Sequence, residues 1–429
     1  MGNRNIFLSV FLFYAISLFT GLTGAKALTL EEAVREAGAK SLVLKQAEER
    51  VRATEAGAAE QRTYLLPSFN LSGGNTYQRG NIFNGSTPSG KTETDVNTLS
   101  LSVTQPLFTG GRLLGQYQIA RLAIDFVRAS YDVAYLDLIL NVKSAYFNVL
   151  RLEKAVSVSR ELVDNRQRHS SEVEKRVQVG VLPKVEQLKT EVELAHSEDA
   201  LILAENGLKA ARSGLNRFLE RSLEAEVILE DVPLDFHVED KGLEYYYGQA
   251  QKNRPERKAA VIKVGQAEKG RMVAGSGYFP QISLQLARQE FQEDAFQSDW
   301  SDNDQALFVV SYDIWNWGRI RDWVWNSRSQ FNLAQLSLLD LERSIGLEVK
   351  NAYLSVCSAR ARIETAQKAV SQAEEVLRMQ SIRFKEGMAT NTEVLDADFA
   401  LAQAKTDHYN ASYDYLSVEA VLERSVGQR

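Results

Sequence analysis

Length, composition and charge narrow the possible classes of protein at the outset. The chain has 429 residues, with 50 basic against 56 acidic side chains and a single cysteine, Cys357. This acidic balance offers no basic stripe of the kind that nucleic-acid binding needs, and one cysteine excludes an internal disulfide. Only 7 prolines and a charged fraction of 25% are typical of a chain with long, solvated helices.

The N-terminus has the features of an export signal. Arg4 precedes an apolar run over residues 6–22, and Ala-Lys-Ala at 25–27 fits the small-residue cleavage rule. A membrane anchor is the alternative, but a cleavage site follows the run and stop-transfer charges do not. We therefore predict a signal peptide at residues 1–27. After Ala27 no run of about 20 apolar residues remains, so the mature chain is expected to enter a membrane only as strands.

A helix and two strands are predicted next. Thr-Leu-Glu-Glu at 29–32 is a capping-box pattern, from which a helix is expected to run to about Leu65. Apolar and polar residues alternate at 69–71 and again at 99–103, which indicates strands with one dry and one wet face. The Gly, Ser, Asn and Thr residues of the intervening segment, 78–97, are typical of a loop.

A long helix follows each strand pair. Residues 112–179 contain no proline, and as a helix they would extend about 100 Å. Apolar residues at spacings of three and four, over 135–156 and 345–377, predict a coiled-coil seam, with a bundle core as the alternative. Gly180 and Gly387 are expected to end the long helices at hairpin turns, from which a second helix returns.

The second half of the chain follows the same plan. Strands are predicted at 282–286 and 308–314, with an acidic loop at 292–305 and a capping box at 390–393. Four tryptophans cluster just after the last strand, and tryptophan favours the boundary between membrane and water. These candidate interface residues, for which ordinary core or surface positions are the alternative, are Trp315, Trp317, Trp323 and Trp325.

Both halves derive from one repeated unit. Val142–Tyr146 returns 207 positions later as Val349–Tyr353, and a constant offset over about 90 residues indicates duplication. The same offset relates Arg176, Gly180, Glu186, Leu188 and Ala195 to Arg383, Gly387, Glu393, Leu395 and Ala402. We predict a first repeat at 28–220, a linker at 221–240 and a second repeat at 241–427. The strand–helix junctions fall at Gly110, Gly111 and Gly318.

Four strands in a membrane require more than one chain. An open sheet edge in lipid would leave backbone N–H and C=O groups unpaired, which hydrocarbon does not permit. Several copies must therefore pool their strands. The predicted fold class is mainly α, with a small β contribution and a duplicated helix–strand–strand–helix–helix unit.

Short motifs make the chain resemble the TolC-like outer-membrane efflux proteins over essentially its whole mature length. They are Leu-Pro-Ser-Phe at 66–69, Gln-Pro-Leu-Phe-Thr-Gly-Gly-Arg at 105–112, Asn-Arg-Pro-Glu at 253–256, Arg-Phe-Lys-Glu-Gly at 383–387 and Glu-Val-Leu-Asp-Ala at 393–397. The resemblance implies a homotrimer, with a twelve-stranded β-barrel in the Gram-negative outer membrane and an α-helical tunnel in the periplasm.

The resemblance also implies function and partners. It predicts a passive channel, gated at its periplasmic tip, that exports small molecules such as drugs or, through type I secretion, proteins. The implied partners are a periplasmic adaptor (membrane fusion protein) and an inner-membrane pump of the RND or ABC type; no cofactor and no enzyme activity are implied. A periplasmic adaptor or coiled-coil scaffold is the alternative function, and a coiled-coil enzyme is a further one.

In the family, acidic residues in the first turn of the last helix form a ring at the closed entrance. The matching residues are Glu393 and Asp396, and Glu186 holds the place of Glu393 in the first repeat. A capping role is the alternative for Glu393. Two family positions differ, because Phe384 and Ala389 replace a tyrosine and an arginine that lock the closed tip. In the first repeat, Lys-Ser at 40–41 also replaces the usual Asn-Pro.

Two other signals are set aside. Residues 85–92 match the P-loop pattern, but a polar segment precedes them and a strand pattern follows, so no helix N-terminus would meet a phosphate. The four histidines, His169, His196, His237 and His408, lack metal-ligand spacing. We therefore predict no catalytic, cofactor or metal residues.

Overall fold

The computed structural model describes residues 27–84, 87–233, 241–293 and 299–428. In chain order its elements are α1 (Leu30–Lys40), α2 (Leu42–Thr63), β1 (Ser68–Asn84), β2 (Thr87–Phe108), α3 (Arg112–Gln178), α4 (Lys184–Phe218), α5 (Leu243–Asn253), α6 (Pro255–Gly275), a 3₁₀ turn (Ser276–Tyr278), β3 (Gln281–Glu293), β4 (Ser301–Ser311), α7 (Arg319–Lys385) and α8 (Asn391–Val426). The signal peptide before Ala27, His237 and the end of the predicted linker, 234–240, lie outside the described residues.

Helices dominate the fold, as the sequence predicted. The two long helices, α3 and α7, have 67 residues each, and α3 agrees with the predicted span to within one residue. The capping boxes predicted at the starts of α1 and α8 are confirmed, with Thr29 and Thr390 as the capping residues. None of the described helices is both long enough and apolar enough to cross a membrane.

The chain forms two compact units. The first contains the described residues of Met1–Leu42, Tyr135–Asn253 and Leu347–Arg429, and the second contains Val43–Ala134 and Arg254–Gly346. Each unit therefore takes segments from both predicted repeats, because the long helices α3 and α7 contribute residues to both units.

The first unit is a helical body with repeat-related core residues. Val142 and its counterpart Val349 are both fully buried. Tyr146 is also fully buried, and its hydroxyl lies 2.8 Å from the carbonyl oxygen of Leu28 and 2.6 Å from that of Glu230. One tyrosine thus fixes the start of the described chain and the segment after α4 against α3.

The second unit contains an antiparallel sheet in the order β1-β2-β3-β4. The register pairs Leu71 with Leu101 and Leu284 with Phe308, so the apolar members of the alternation share one face. The pairing of β2 with β3 shifts between Pro106 and Phe108. Proline has no N–H for the ladder, which accounts for an irregularity at this place.

Two predicted loops are largely strand, so those predictions were wrong. Residues 78–97 lie within β1 and β2, and much of 292–305 lies within β3 and β4. Polar side chains on these hairpins pair across the strands: Arg79 forms a 3.0 Å ion pair with Glu93. Loop-like composition therefore reflects solvated strands here. Residues 87–92 of the P-loop pattern also belong to β2, while Gly85 and Ser86 lie outside the described residues.

The first predicted helix was wrong in one respect, because it breaks at Ser41. This residue has non-helical backbone angles (φ −49°, ψ 123°) and ends α1 by donating its N–H to the Ala37 carbonyl. The next N–H, of Leu42, donates to a carboxylate oxygen of Glu220 at 3.3 Å. A residue 178 positions away thus accepts the hydrogen bond of the first N–H of α2, and local sequence does not reveal such a partner.

Candidate functional site

The candidate site is the pair of hairpin turns that join α3 to α4 and α7 to α8. Gly180 and Gly387 lie in these turns with φ of 77° and 74°, in the left-handed region that favours glycine. In each turn the N–H of the third residue past the helix donates to a carbonyl of the last helical turn: Val181 to Arg176 at 2.8 Å, and Met388 to Arg383 at 2.7 Å. The two turns are therefore built alike, as Schellman-type helix ends.

The return helices begin differently. Pro183 precedes α4 and supplies no side-chain cap, whereas Thr390 accepts from the Glu393 N–H at the start of α8. The Glu393 carboxylate in turn accepts from the Thr390 N–H at 2.6 Å, and this hydrogen bond lowers the pKa of Glu393. Glu393 is thus ionised and held in place at the turn.

The three acidic residues of the predicted gate have different surroundings. Glu393 and Asp396 are exposed on the first turns of α8. Glu186 is partly buried on α4, where one carboxylate oxygen lies 3.0 Å from the Lys189 ammonium and the other accepts from the Asn391 amide at 3.2 Å. The hydrogen bond from Lys189 is the main reason that the pKa of Glu186 is lowered. Glu393 and Asp396 are the two that face solvent in this chain.

Asn391, the first residue of α8, was missed by the sequence analysis. Only 2% of its surface is exposed. Its amide nitrogen lies 2.9 Å from the Thr190 hydroxyl and 3.3 Å from the Glu186 carbonyl oxygen, and its amide oxygen lies 2.6 Å from His169 Nε2. One side chain therefore joins α8 to both α3 and α4. No local signal marks it, because its partners lie more than 200 positions away.

Phe384 and Arg176 form a second link between the hairpins. Phe384 is buried with Val173 and Val394, at the end of α7. The Arg176 guanidinium lies over its ring, 4.6 Å from the ring centroid, and donates to its carbonyl oxygen at 3.0 Å. Phe384 has no hydroxyl to offer, so the arginine uses the ring face and the backbone instead. Ala389 packs against the same apolar cluster.

A cavity of about 320 Å³ lies between α3, α7 and α8 near these residues. Its lining includes His169, Glu172, Phe384 and Asp398. Asp398 is 7% exposed, and its carboxylate accepts from the Asn165 amide at 3.0 Å. Burial raises the pKa of Asp398, and the Asn165 hydrogen bond only partly opposes that rise.

A second groove, of about 550 Å³, lies between α4 and α8. Asp396 lines it together with apolar side chains that include Leu188 and Phe399. At its base Arg166 is 4% exposed and donates to the carbonyl and carboxylate oxygens of Glu193. Asp396 thus borders an apolar groove in which the buried cation, Arg166, already has an acidic partner.

The strand–helix junctions also need left-handed backbone. Gly110 and Gly111 follow β2 with φ of 60° and 86°, and Gly318 precedes α7 with φ of 83°. Trp317 stands 207 positions after Gly110 and has φ of 51°. The second junction therefore places a tryptophan in a conformation that costs a non-glycine residue about 1–2 kcal/mol.

All four predicted interface tryptophans are well exposed. Trp315 and Trp317 lie between β4 and α7 and are 74% and 87% exposed, with ring centroids 5.7 Å apart. Trp323 and Trp325 lie on the first turns of α7 and are also exposed. Large exposed rings at one end of a sheet are unusual unless another phase or molecule covers them.

Comparison with known families gives a match over both halves of the chain. The model of the outer membrane efflux protein family matches residues 33–219 and 246–428. The chain belongs to the outer membrane efflux protein family. This efflux protein is accordingly an outer-membrane export channel, with its helical part in the periplasm. The match gives no support to the alternative of a periplasmic adaptor or scaffold.

Individual relatives agree with the family match. Protein CyaE of Bordetella pertussis is 24% identical over 385 residues, which cover 89% of this efflux protein and 80% of CyaE. Outer membrane protein TolC of Escherichia coli is 22% identical over 391 residues, covering 86% and 76% of the two chains. Toxin and drug export protein A of Aggregatibacter actinomycetemcomitans is 23% identical over 380 residues, covering 82% of each chain.

Solved structures share the fold. The outer membrane protein VceC of Vibrio cholerae superposes with a TM-score of 0.79 at 18% identity, over 93% of this efflux protein and 96% of VceC. CusC gives a TM-score of 0.83 at 18% identity, over 96% of both chains. The predicted fold class, mainly helical with a small antiparallel sheet, is confirmed.

Proposed function

We propose that three copies of this efflux protein join their sheets into one closed wall around a water-filled exit path. The open sheet carries the proposal: in the order β1-β2-β3-β4, the described parts of β1 and β4 each have one side without a strand partner. Unpaired backbone groups are very costly in hydrocarbon. Pairing β1 of one copy with β4 of the next satisfies both edges.

The apolar side chains of the sheet support a position in lipid. Phe69, Leu71, Phe308 and Val310 share one face, and each is more than half exposed in the single chain. Hydrocarbon would cover these side chains. The exposed Trp315 and Trp317 would then lie at the membrane–water interface, where their rings anchor the wall.

The channel is proposed to perform no reaction of its own. A pump of the RND or ABC type in the inner membrane supplies the free energy, and a periplasmic adaptor connects it to the helical part. The cargo is small molecules, including drugs, or proteins of type I secretion. The relative named toxin and drug export protein A, which aligns over 82% of each chain, supports this range of cargo.

The duplicated architecture belongs to the same proposal. We assign residues 28–220 and 241–427 to two copies of one unit, joined by 221–240. The two separate family matches, at 33–219 and 246–428, support this division.

The hairpin turns are proposed to form the gate. Glu393 and Asp396 are exposed on the first turns of α8, so three-fold symmetry would bring six carboxylates around the axis, where they would favour cations. Glu186 would act differently, because its carboxylate is already engaged by Lys189 and Asn391. Opening would be a two-state separation of the hairpins.

The assembly is tested in outer-membrane fractions and in detergent. We expect the unheated protein to run as an SDS-resistant oligomer whose native mass is three times that of the mature chain. Planar bilayers should show discrete conductance steps. A soluble monomer without conductance would refute the proposal.

The gate is tested with the double variant Glu393→Gln/Asp396→Asn, which keeps the shape of both side chains and the capping geometry of α8. We expect it to lose most of the cation preference of the channel. Glu186→Gln serves as the matched comparison and should lose less. Equal cation preference in all channels would show that these carboxylates do not line the entrance.

A further inference from the structure

Charged residues lie almost entirely on one face of the sheet. Ladder partners share a face, which places all the even-numbered positions of β1 together with the facing residues of the other strands. We name this set the neutral face. Its members are Asn70, Ser72, Gly74, Thr76, Gln78, Thr94, Val96, Thr98, Ser100, Ser102, Thr104, Ser283, Gln285, Ala287, Gln289, Phe291, Ser301, Asn303, Gln305, Leu307 and Val309.

None of these residues is Asp, Glu, Lys or Arg; Glu293, the last residue of β3, pairs with Val96 and is the exception on this face. Instead, hydroxyl and amide side chains follow one another across the strands: Ser72 pairs with Ser100, Ser100 with Gln289, and Gln289 with Asn303. Hydroxyl and amide groups form hydrogen bonds with water and carry no net charge, so they attract cations and anions about equally. A surface of this composition is suited to contact with water.

The opposite face, which we name the mixed face, has two zones. Near the helices it is apolar, with Phe69, Leu286 and Phe308 all well exposed. Farther along, towards the tips of the β-hairpins β1–β2 and β3–β4, this face is charged. It holds every charged residue of the paired strand segments 69–79, 93–105, 282–292 and 302–310. These residues are Arg79, Glu93, Asp95, Arg288, Glu290, Asp302 and Asp304.

The charged zone is ordered by contacts within the same face. The Arg288 guanidinium lies 3.3 Å from Glu290, 3.3 Å from Asp302 and 3.6 Å from Asp304. Its distance from the apolar zone is short, because Arg288 follows Leu286 at the next position of this face. Hydrocarbon excludes such groups, so the edge of the bilayer would cross β3 between these two residues.

We infer that the neutral face lines the exit path and that the sheet section of the channel does not select cargo by charge. This inference rests on the proposed function, since a path exists only when several copies close the wall. The mixed face is the one that hydrocarbon can cover, because it alone has a continuous apolar zone. The other face must then contact water.

The consequence concerns specificity. Cations and anions meet the same hydroxyl and amide groups along this section, so any ion preference of the whole channel must arise elsewhere, at the carboxylates of the hairpin turns. The cargo that fits such a wall is a hydrated solute of either charge. A fixed charge introduced on the neutral face should therefore create a selectivity that the natural sheet lacks.

The first test uses neighbouring residues on opposite faces. In a Cys357→Ser chain, Ser102→Cys and Val103→Cys occupy the same depth of β2, and Gln285→Cys and Leu286→Cys do so on β3. Assembled channels in bilayers are treated with a membrane-impermeant, cationic methanethiosulfonate, which forms a mixed disulfide with a water-exposed thiol. We expect Ser102→Cys and Gln285→Cys to react and to shift the reversal potential towards anion preference.

The outcomes separate the inference from the proposed function. Val103→Cys and Leu286→Cys should stay unmodified, and the reverse pattern would overturn the assignment of the faces. Modification of Ser102→Cys without any change in ion preference would overturn the conclusion on selectivity. So would a strong cation preference that survives in the Glu393→Gln/Asp396→Asn channel. Failure of the unsubstituted chain to form any conducting oligomer would refute the proposed function itself.

Discussion

Arg176 on α3 and Phe384 on α7 form a direct contact between the two helical hairpins. The arginine lies on α3, its guanidinium is 4.6 Å from the centroid of the Phe384 ring, and it donates to the Phe384 carbonyl oxygen at 3.0 Å. Glu172, one turn earlier on α3, holds the guanidinium at 2.8 Å. The contact therefore combines a charge-assisted hydrogen bond with a cation–π interaction, both of which depend on the hairpins staying together.

Arg176→Ala should favour the open channel. A hydrogen bond from a charged group is worth about 1.5–3 kcal/mol, and about 2 kcal/mol corresponds to roughly a 30-fold change in an equilibrium constant. We expect the open probability in planar bilayers to rise by about that factor at most, because the side chain is partly exposed. Arg176→Lys should restore little, since an ammonium cannot stack and donate together.

The matched control for this variant is Arg383, which occupies the same position in the second repeat. Its guanidinium donates to the Met388 carbonyl oxygen at 3.1 Å and stays within its own hairpin. Arg383→Ala should leave the open probability nearly unchanged. Equal effects of the two substitutions would show that the link between hairpins does not hold the gate.

Asn391→Ala should loosen the start of α8. The substitution leaves the buried Thr190 hydroxyl without its amide partner and His169 Nε2 without the amide oxygen. A lost buried partner costs about 1–3 kcal/mol. We expect faster amide hydrogen exchange in residues 184–190 and 391–397 and a lower temperature of tip unfolding. Thr392→Ala, at the exposed neighbouring position, is the control, and equal exchange in both variants would contradict the role of Asn391.

These two links show which parts of the site the sequence could predict. The capping box of Thr390 and Glu393 is local, and its partners are three residues apart, so pattern alone revealed it. The partners of Asn391 and Arg176 lie 201 and 208 positions away. Such contacts depend on how the two hairpins pack. The sequence showed only that Phe384 lacks the hydroxyl expected there, and not that an arginine compensates for it.

Asp398→Asn should stabilise the helical unit at neutral pH. Burial raises the pKa of Asp398, so its ionised form opposes folding above that pKa, and the penalty disappears as the pH falls through it. The amide keeps an oxygen for the Asn165 hydrogen bond and carries no charge. Its gain should therefore shrink as the pH is lowered towards the range where Asp398 itself is protonated. Thermal unfolding followed by circular dichroism across this range measures the effect.

Asp396→Asn is the control for the pH experiment, because Asp396 is exposed two residues away on the same helix. Loss of this solvent-exposed charge should leave the temperature of unfolding nearly unchanged. Arg166 and His169 lower the pKa of Asp398 through their charge, whereas Glu161 raises it. A loss of stability in Asp398→Asn at neutral pH would mean that attraction to Arg166 and His169 outweighs burial.

The sheet illustrates a different limit of sequence analysis. Alternation at 69–71 and 99–103 correctly separated the apolar from the polar residues of these strands, because the period of a strand is fixed. The prediction of a loop at 78–97 was wrong because it considered the polar composition of the segment and not the pairing of its residues across the two strands. Asn75 donates to Asp95 at 2.6 Å, and such pairs extend the β-hairpin as a solvated ribbon. Polar residues terminate a strand only when no neighbouring strand pairs with them.

Gly110→Ala should destabilise the junction between β2 and α3. A methyl group at this position would lie 2.7 Å from the Ser276 carbonyl oxygen and 2.9 Å from Phe279 Cβ, and φ is +60°. Trp317, at the matching junction, tolerates a similar φ, so the backbone conformation is not prohibitive by itself. The clash is therefore the larger cause, and together the two effects should cost about 2–4 kcal/mol.

Gly57→Ala is the control, since a methyl group there meets nothing within 4 Å inside α2 and should stabilise the helix by about 0.5–1 kcal/mol. The temperature at which the SDS-resistant oligomer dissociates should fall for Gly110→Ala and stay equal or rise for Gly57→Ala. The same dissociation temperature in both variants would mean that Ser276 and Phe279 move aside at little cost, and that the junction is softer than its contacts indicate.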